Sequence, residues 1–169
     1  DTDGGYFRLN GAYGIKAMIN VGTSLLVFAT NGVWRVYGGN GYCFSATNFI
    51  IEKICDYGVN SSDSIVPVDT SVMYWGQDAI YHLHTDQFGT FIADNVSFGH
   101  VQNLFNSIGA DDRTNATGIY DTYDRKVRWL YYNRVADNTP TRELTLDITL
   151  KAFYTNTIGQ LGDGSVPRV

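Results

Sequence analysis

Two stretches of this chain lie over each other without a gap at an offset of 47 residues: Val21 to Val36 (VGTSLLVFATNGVWRV) and Val68 to Leu83 (VDTSVMYWGQDAIYHL). Val21 meets Val68, Thr23 meets Thr70, Ser24 meets Ser71 and Leu25 meets Val72. Phe28 then meets Trp75, Val33 meets Ile80, Trp34 meets Tyr81 and Val36 meets Leu83. Self-similarity at this period means stacked copies of one supersecondary unit, because a single small unit cannot bury its own apolar face. The expected repeat core is Val21, Leu25, Phe28, Val33 and Trp34 in the first copy, and Val68, Val72, Trp75, Ile80 and Tyr81 in the second.

Each copy reads as a pair of antiparallel strands. Leu25 to Ala29 is continuously apolar, as a strand covered on both faces should be. Thr30-Asn31-Gly32 predicts a hairpin turn, since Asn-Gly tolerates positive φ, and Val33 to Tyr37 predicts the returning strand. The second copy is expected to turn at Gln77-Asp78. Paired strands with aromatic anchors and a period near 47 residues fit a propeller blade, in which about 40–50 residues form a four-stranded sheet.

A diverged third unit follows. Gly118 to Asn133 predicts strand, turn and strand, bending at Tyr123–Lys126. Arg142 to Tyr154 adds further strand, with Leu144, Leu146 and Ile148 alternating against Thr145, Asp147 and Thr149 as in a half-buried strand. Ala136 to Thr141 reads as a loop. One short helix is expected at about 99–108, capped by Asn95 or Ser97 and ended by Gly109; Val101, Leu104, Phe105 and Ile108 fall at helical spacing. Asp111 to Thr114 is expected to be a polar connection. The fold class predicted is all-β: one domain over 1–169, with propeller-like blade units at about 14–47, 48–98 and 115–158.

Composition agrees. Twelve Tyr, nine Phe and three Trp make 14% of the chain, and with 18 Gly they favour strands and tight turns. A net charge of -5 argues against duplex nucleic acid or an anionic membrane as a surface-bound partner, since both reward clustered Lys and Arg. Passive contact with DNA sliding through a repulsive channel stays open. No apolar run approaches the roughly 18–20 residues of a spanning helix. With no initiator Met and an end at Pro167-Arg168-Val169, the chain is expected to be a piece of something longer.

Chemistry-bearing motifs are few, and no catalytic residue, cofactor or metal is predicted. No Gly-x-Ser-x-Gly elbow occurs. Gly38-Gly39-Asn40-Gly41 lacks the Lys of a phosphate loop. Cys43 and Cys55 read as buried free thiols rather than a disulfide framework. His82 and His84 share one face of a strand, with His100 as a conceivable third metal ligand, but ordinary strand duty is favoured. A pair such as Asp121 and Asp124 could serve glycoside hydrolysis, and Asp111 and Asp112 with nearby carbonyls a calcium site, though no EF-hand spacing is present; Asp is also the standard turn residue, and turn duty is the expectation. Trp34, Trp75 and Trp129, with Tyr131 and Tyr132, offer the sharpest alternative, a stacking platform in a carbohydrate- or receptor-binding module. The opposing reading makes Trp34 and Trp75 core, because aromatics recur there in both copies.

In order along the chain, Ser24-Leu-Leu-Val-Phe-Ala-Thr-Asn-Gly-Val-Trp-Arg-Val, Phe44-Ser-Ala-Thr-Asn-Phe and Tyr74-Trp-Gly-Gln-Asp-Ala-Ile-Tyr resemble the tail nozzle, or tail tubular protein B, family of short-tailed bacteriophages. Gly118-Ile-Tyr-Asp, Val127-Arg-Trp-Leu-Tyr and Ala152-Phe-Tyr continue the resemblance, which spans roughly residues 14 to 156. It implies a β-propeller-containing structural protein of the virion. Such a protein assembles with copies of itself and neighbouring tail proteins in a ring around the DNA exit channel, and serves DNA ejection.

Overall fold

The computed structural model describes residues 6, 8–39, 44–45, 47–132 and 142–158. The described residues are mostly β, in three antiparallel four-stranded sheets. The first holds β1 (Ile15–Val21), β2 (Ser24–Ala29), β3 (Gly32–Tyr37) and β4 (Ile50–Cys55). The second holds β5 (Val66–Val68), β6 (Ser71–Trp75), β7 (Ile80–Thr85) and β8 (Phe91–Asn95). Two short helices follow, α1 (Gln102–Ser107) and α2 (Ala110–Thr114). The third sheet holds β9 (Thr117–Asp121), β10 (Lys126–Tyr131), β11 (Arg142–Asp147) and β12 (Ala152–Thr157). In every sheet, each strand pairs only with its neighbours in sequence.

The 47-residue repeat holds down to the register of the ladder. Leu25 opposes Val36 as Val72 opposes Leu83, and Phe28 opposes Val33 as Trp75 opposes Ile80. The turns before β2 and β6 match too: Gly22 and Asp69, at equivalent places, have φ of 58° and 51°. The first copy spends a glycine where the left-handed backbone asks for one, and the second uses Asp, which tolerates it better than most side chains.

Because side chains alternate across a strand, equal register puts equivalent residues on equivalent faces. Val21, Phe28 and Val33 point from the first sheet toward the second, where they meet Val72, Tyr74, Tyr81 and Leu83. Val68, Trp75 and Ile80 point from the second sheet toward the third, where they meet Val127, Trp129, Tyr131, Leu144 and Leu146. Leu25 and Trp34, the counterparts of Val72 and Tyr81, look the other way, off the near end of the stack. Each of the first two sheets thus shows the same side to its successor.

Of the expected repeat core, Phe28, Val33, Trp34, Val68, Val72, Trp75, Ile80 and Tyr81 are buried, while Val21 and Leu25 are half-buried. Several expectations need correction. The first sheet extends past residue 47, because β4 pairs with β3. The loop of the first hairpin is Thr30-Asn31, and Gly32 already belongs to β3. Asn31 is there to tether: its side chain accepts from the Tyr13 amide at 2.9 Å and donates to the Gly11 carbonyl at 2.7 Å. Among the described residues there are two α-helices rather than one; the expected helix is shorter, at Gln102–Ser107, and the expected polar connection is α2. β11 is covered on both faces instead of one, with Thr145 fully buried between Arg128 and Tyr154 on the flanking strands. The predicted loop at 136–141 lies outside the described residues.

Residues 56–65, linking the first two sheets, touch all three. The Val59 amide donates to Ala29 O at the end of β2, and the Asn60 amide to Trp75 O at the end of β6, both at 3.0 Å. Ser61 Oγ donates to Ala116 O beside β9 at 2.9 Å, and Ser64 O accepts from Trp129 Nε1 at 3.0 Å. This strap satisfies carbonyls that the strand ends would otherwise bury unpaired.

Candidate interaction surfaces

The first seam, between the first and second sheets, is aromatic and closed. Phe28 meets Tyr74 edge-on at 5.3 Å, Tyr74 stacks on Tyr81 at 5.5 Å, and Tyr81 stacks on Tyr57 at 4.5 Å. The Tyr74 hydroxyl donates to Tyr57 O at 2.9 Å and the Tyr81 hydroxyl to Asp78 at 3.0 Å. Burial raises both phenols well above their ordinary range, and it raises the free thiol of Cys55 beside them. A raised thiol is a poor nucleophile. Cys43 lies outside the described residues.

The second seam is packed by the indoles. Trp75, Trp129 and Tyr131 are buried, with Phe105 of α1 set edge-on to Trp75 at 5.1 Å. Trp34, at 3% exposure, is buried on the far side of the first sheet. All three tryptophans therefore serve as core; of the five rings weighed as a stacking platform, only Tyr132 is exposed. Between the outer strands the second seam opens into a cleft of about 310 Å³, lined by Met73, His82, His100, Lys151 and Phe153 among others.

One of the three histidines sits at a repeat position. His82 is the counterpart of Arg35, and Ser71 of Ser24. Arg35 Nε donates to Ser24 Oγ at 2.8 Å, and His82 Nε2 contacts Ser71 Oγ at 2.9 Å. Ser71 spends its own proton on Val68 O, so His82 is the donor, in the Nε2–H tautomer. His84 stacks on His82 at 4.6 Å and bonds Asp94 through Nε2 at 2.8 Å. His100 lies apart, against Phe153. Among the described residues no group of three or more His, Cys, Asp and Glu side chains is placed to hold a metal.

Burial, and then the neighbouring His84, lower the His82 pKa below 6.5, partly opposed by Asp94. A histidine depressed in the folded state stabilises the fold above its unfolded pKa, and the contribution is lost as pH falls through the folded value. Urea midpoints are therefore expected to drop from pH 7.5 to pH 5.5 by more in the native chain than in His82→Gln. Equal drops would remove His82 from the account.

Of the carboxylates singled out in the sequence, Asp121 does turn duty, Asp124 pairs with Lys126 and Arg128, and Asp111 and Asp112 belong to a helix. Asp121 Oδ1 accepts the Tyr123 and Asp124 amides, each at 3.1 Å, and the Asp124 amide leads the causes that hold its carboxyl below the usual range. Asp86 accepts the Phe88 and Thr90 amides in the same manner. Asp111 and Asp112 occupy the first turn of α2.

Two faces close the stack, and they differ in character. On the near face, Val27, Trp34 and Val36 pack under Leu9 and Ala12. A groove of about 330 Å³ remains there, lined by Tyr6, Arg8, Ile15 and Met18 among others. Ile15 is 54% and Met18 62% exposed, and Lys53 sits over the Trp34 ring at 4.8 Å. On the far face, Arg128 lies among Glu143 at 3.3 Å, Asp121 at 3.5 Å and Asp124 at 3.7 Å. Ile119, Leu130 and Tyr154 stand exposed beside it. Sequence reading missed both faces, because membership of a face depends on strand register.

Among the described residues no helix is long and apolar enough to cross a membrane. Compared with family models and with curated proteins, the chain matches none.

Proposed function

We propose that the chain is a non-catalytic scaffold of a bacteriophage tail, of the nozzle or tubular-protein kind, whose three sheets are consecutive propeller-type blades. One observation carries this reading: the first two four-stranded meanders share a register, and each turns the same side toward the next sheet. A unit repeated in one sense builds rings and solenoids rather than an enzyme cleft. His82 and Asp121 are engaged in holding a strand end and a turn, which supports the same reading. The resemblance to tail nozzle proteins then gives the setting: a virion subunit assembled with its own copies and with neighbouring tail proteins around the DNA exit channel. A net charge of -5 disfavours adhesion of passing DNA.

The test is location. Peptides of this chain are expected in purified phage particles, with antibody label confined to the tail tip. Particles that lack the chain, or that carry it in the head, overturn the assignment.

A further inference from the structure

The two ends of the stack fit each other. We propose that the far face of the third sheet docks on the near face of the first sheet of a second copy, head to tail, so that the stacking of sheets continues from one molecule into the next. This rests on the scaffold reading and names its partner and contact surface.

The first argument is positional. The near face of the first sheet carries Leu25, Trp34 and Val36, the counterparts of Val72, Tyr81 and Leu83, which are the side chains of the second sheet that receive the first. By repeat equivalence the near face is thus of the kind that accepts a preceding sheet. The N-terminal segment covers part of it and leaves the groove beside Ile15 and Met18.

The second argument is complementarity. The near face offers Ile15 and Met18 beside the cations Arg8 and Lys53, the latter paired with Asp56. The far face offers Ile119, Leu130 and Tyr154 in a setting where the acids Asp121 and Asp124, with the buried Glu143 and Asp147 behind them, outnumber Lys126 and Arg128. Exposed apolar side chains stand on both faces, and the near-face cations and far-face acids beside them have opposite sign. Two near faces, or two far faces, would set like charges together.

Size sets the strength. Four strands of about six residues make a face of roughly 400 Å² at ordinary strand spacing and rise. That is a small interface, so a single contact should be weak, near micromolar or above, and closure into a ring would reinforce it.

The experiment uses one variant for each face, both at exposed positions: Met18→Asp on the near face, and Ile119→Asp with Leu130→Asp on the far face. Mass is followed by sedimentation up to about 1 mM, the range a weak contact demands. The native chain is expected to grow in mass with concentration, and each variant alone to stay at 18.8 kDa. Mixing the two variants should restore a one-to-one dimer, because one retains a live far face and the other a live near face. A native chain that stays monomeric, variants that associate as the native chain does, or a mixture that remains monomeric would each overturn the docking. None of these results bears on the presence of the chain in tails, which is read from the particles.

Discussion

Trp75→Ala is expected to cost about 3–5 kcal/mol, read as the fall in unfolding free energy from urea titration. The indole is fully buried between the second and third sheets, with Phe105, Tyr131 and Trp129 at 5.1, 5.5 and 6.2 Å. Its Nε1 finds no acceptor among the described residues, so the ring acts through packing alone. Trp75→Phe should therefore recover most of the loss and cost only about 1–2 kcal/mol. Trp129 makes the contrast, because its Nε1 donates to Ser64 O at 3.0 Å. Trp129→Phe leaves that carbonyl unpaired and should cost about 1 kcal/mol more than Trp75→Phe. The reverse order would mean that the bond from Trp129 to the strap adds nothing.

Gly58→Ala is expected to be nearly as damaging, at about 3–4 kcal/mol, although it adds only one methyl group, because Gly58 is buried against the first hairpin. A Cβ at Gly58 would stand 1.9 Å from Thr30 O and 2.2 Å from its carbonyl carbon. Those are backbone atoms in the first hairpin and have no rotamer to yield. The strap must lift away, and the bonds from Val59 to Ala29 and from Asn60 to Trp75 go with it. Gly89→Ala supplies the control: its φ is +78° but nothing lies within 4 Å of the added Cβ. It should cost only about 1 kcal/mol, the strain of a left-handed alanine. Hydrogen exchange at the Val59 and Asn60 amides should quicken in Gly58→Ala and not in Gly89→Ala.

What the sequence disclosed, and what it hid, follows from which forces depend on side-chain type. The hairpins β2–β3 and β6–β7 were legible because Leu25, Phe28, Val33 and Trp34 recur in kind 47 residues on, and packing selects kind. The burial of Trp34 and Trp75 was legible for the same reason, whereas Trp129 lies outside the aligned copies and its burial was not. The strap was silent: its bonds to Ala29 and Trp75 run from backbone to backbone, and any residue but proline can supply them. α2 was silent too, since the five residues ADDRT are too few to show a helical period. The allegiance of β4 depends on pairing across the 38–49 connection, which local pattern does not encode. The third sheet escaped alignment because four residues, 122–125, join β9 to β10, where two residues join β1 to β2 and β5 to β6. The end faces required the full register, which only the assembled ladders provide.

The strict neighbour-to-neighbour order of the strands bears on how the chain comes into being. Every pairing within a sheet closes a short loop, so little entropy is spent before it is rewarded, and such topologies fold quickly for β proteins. During synthesis, the first sheet can form once Cys55 has emerged, before any residue of the second sheet is needed. It then offers Phe28 and Val33 as a template against which the next meander condenses, and Trp75 and Ile80 repeat the offer for the third. The side that faces onward then changes from aliphatic and aromatic to Arg128, Glu143 and Thr145, so whatever packs there meets a polar template and a weaker contact than the two inner seams. Growth from one end is written into the chain by the alternation of a few residues.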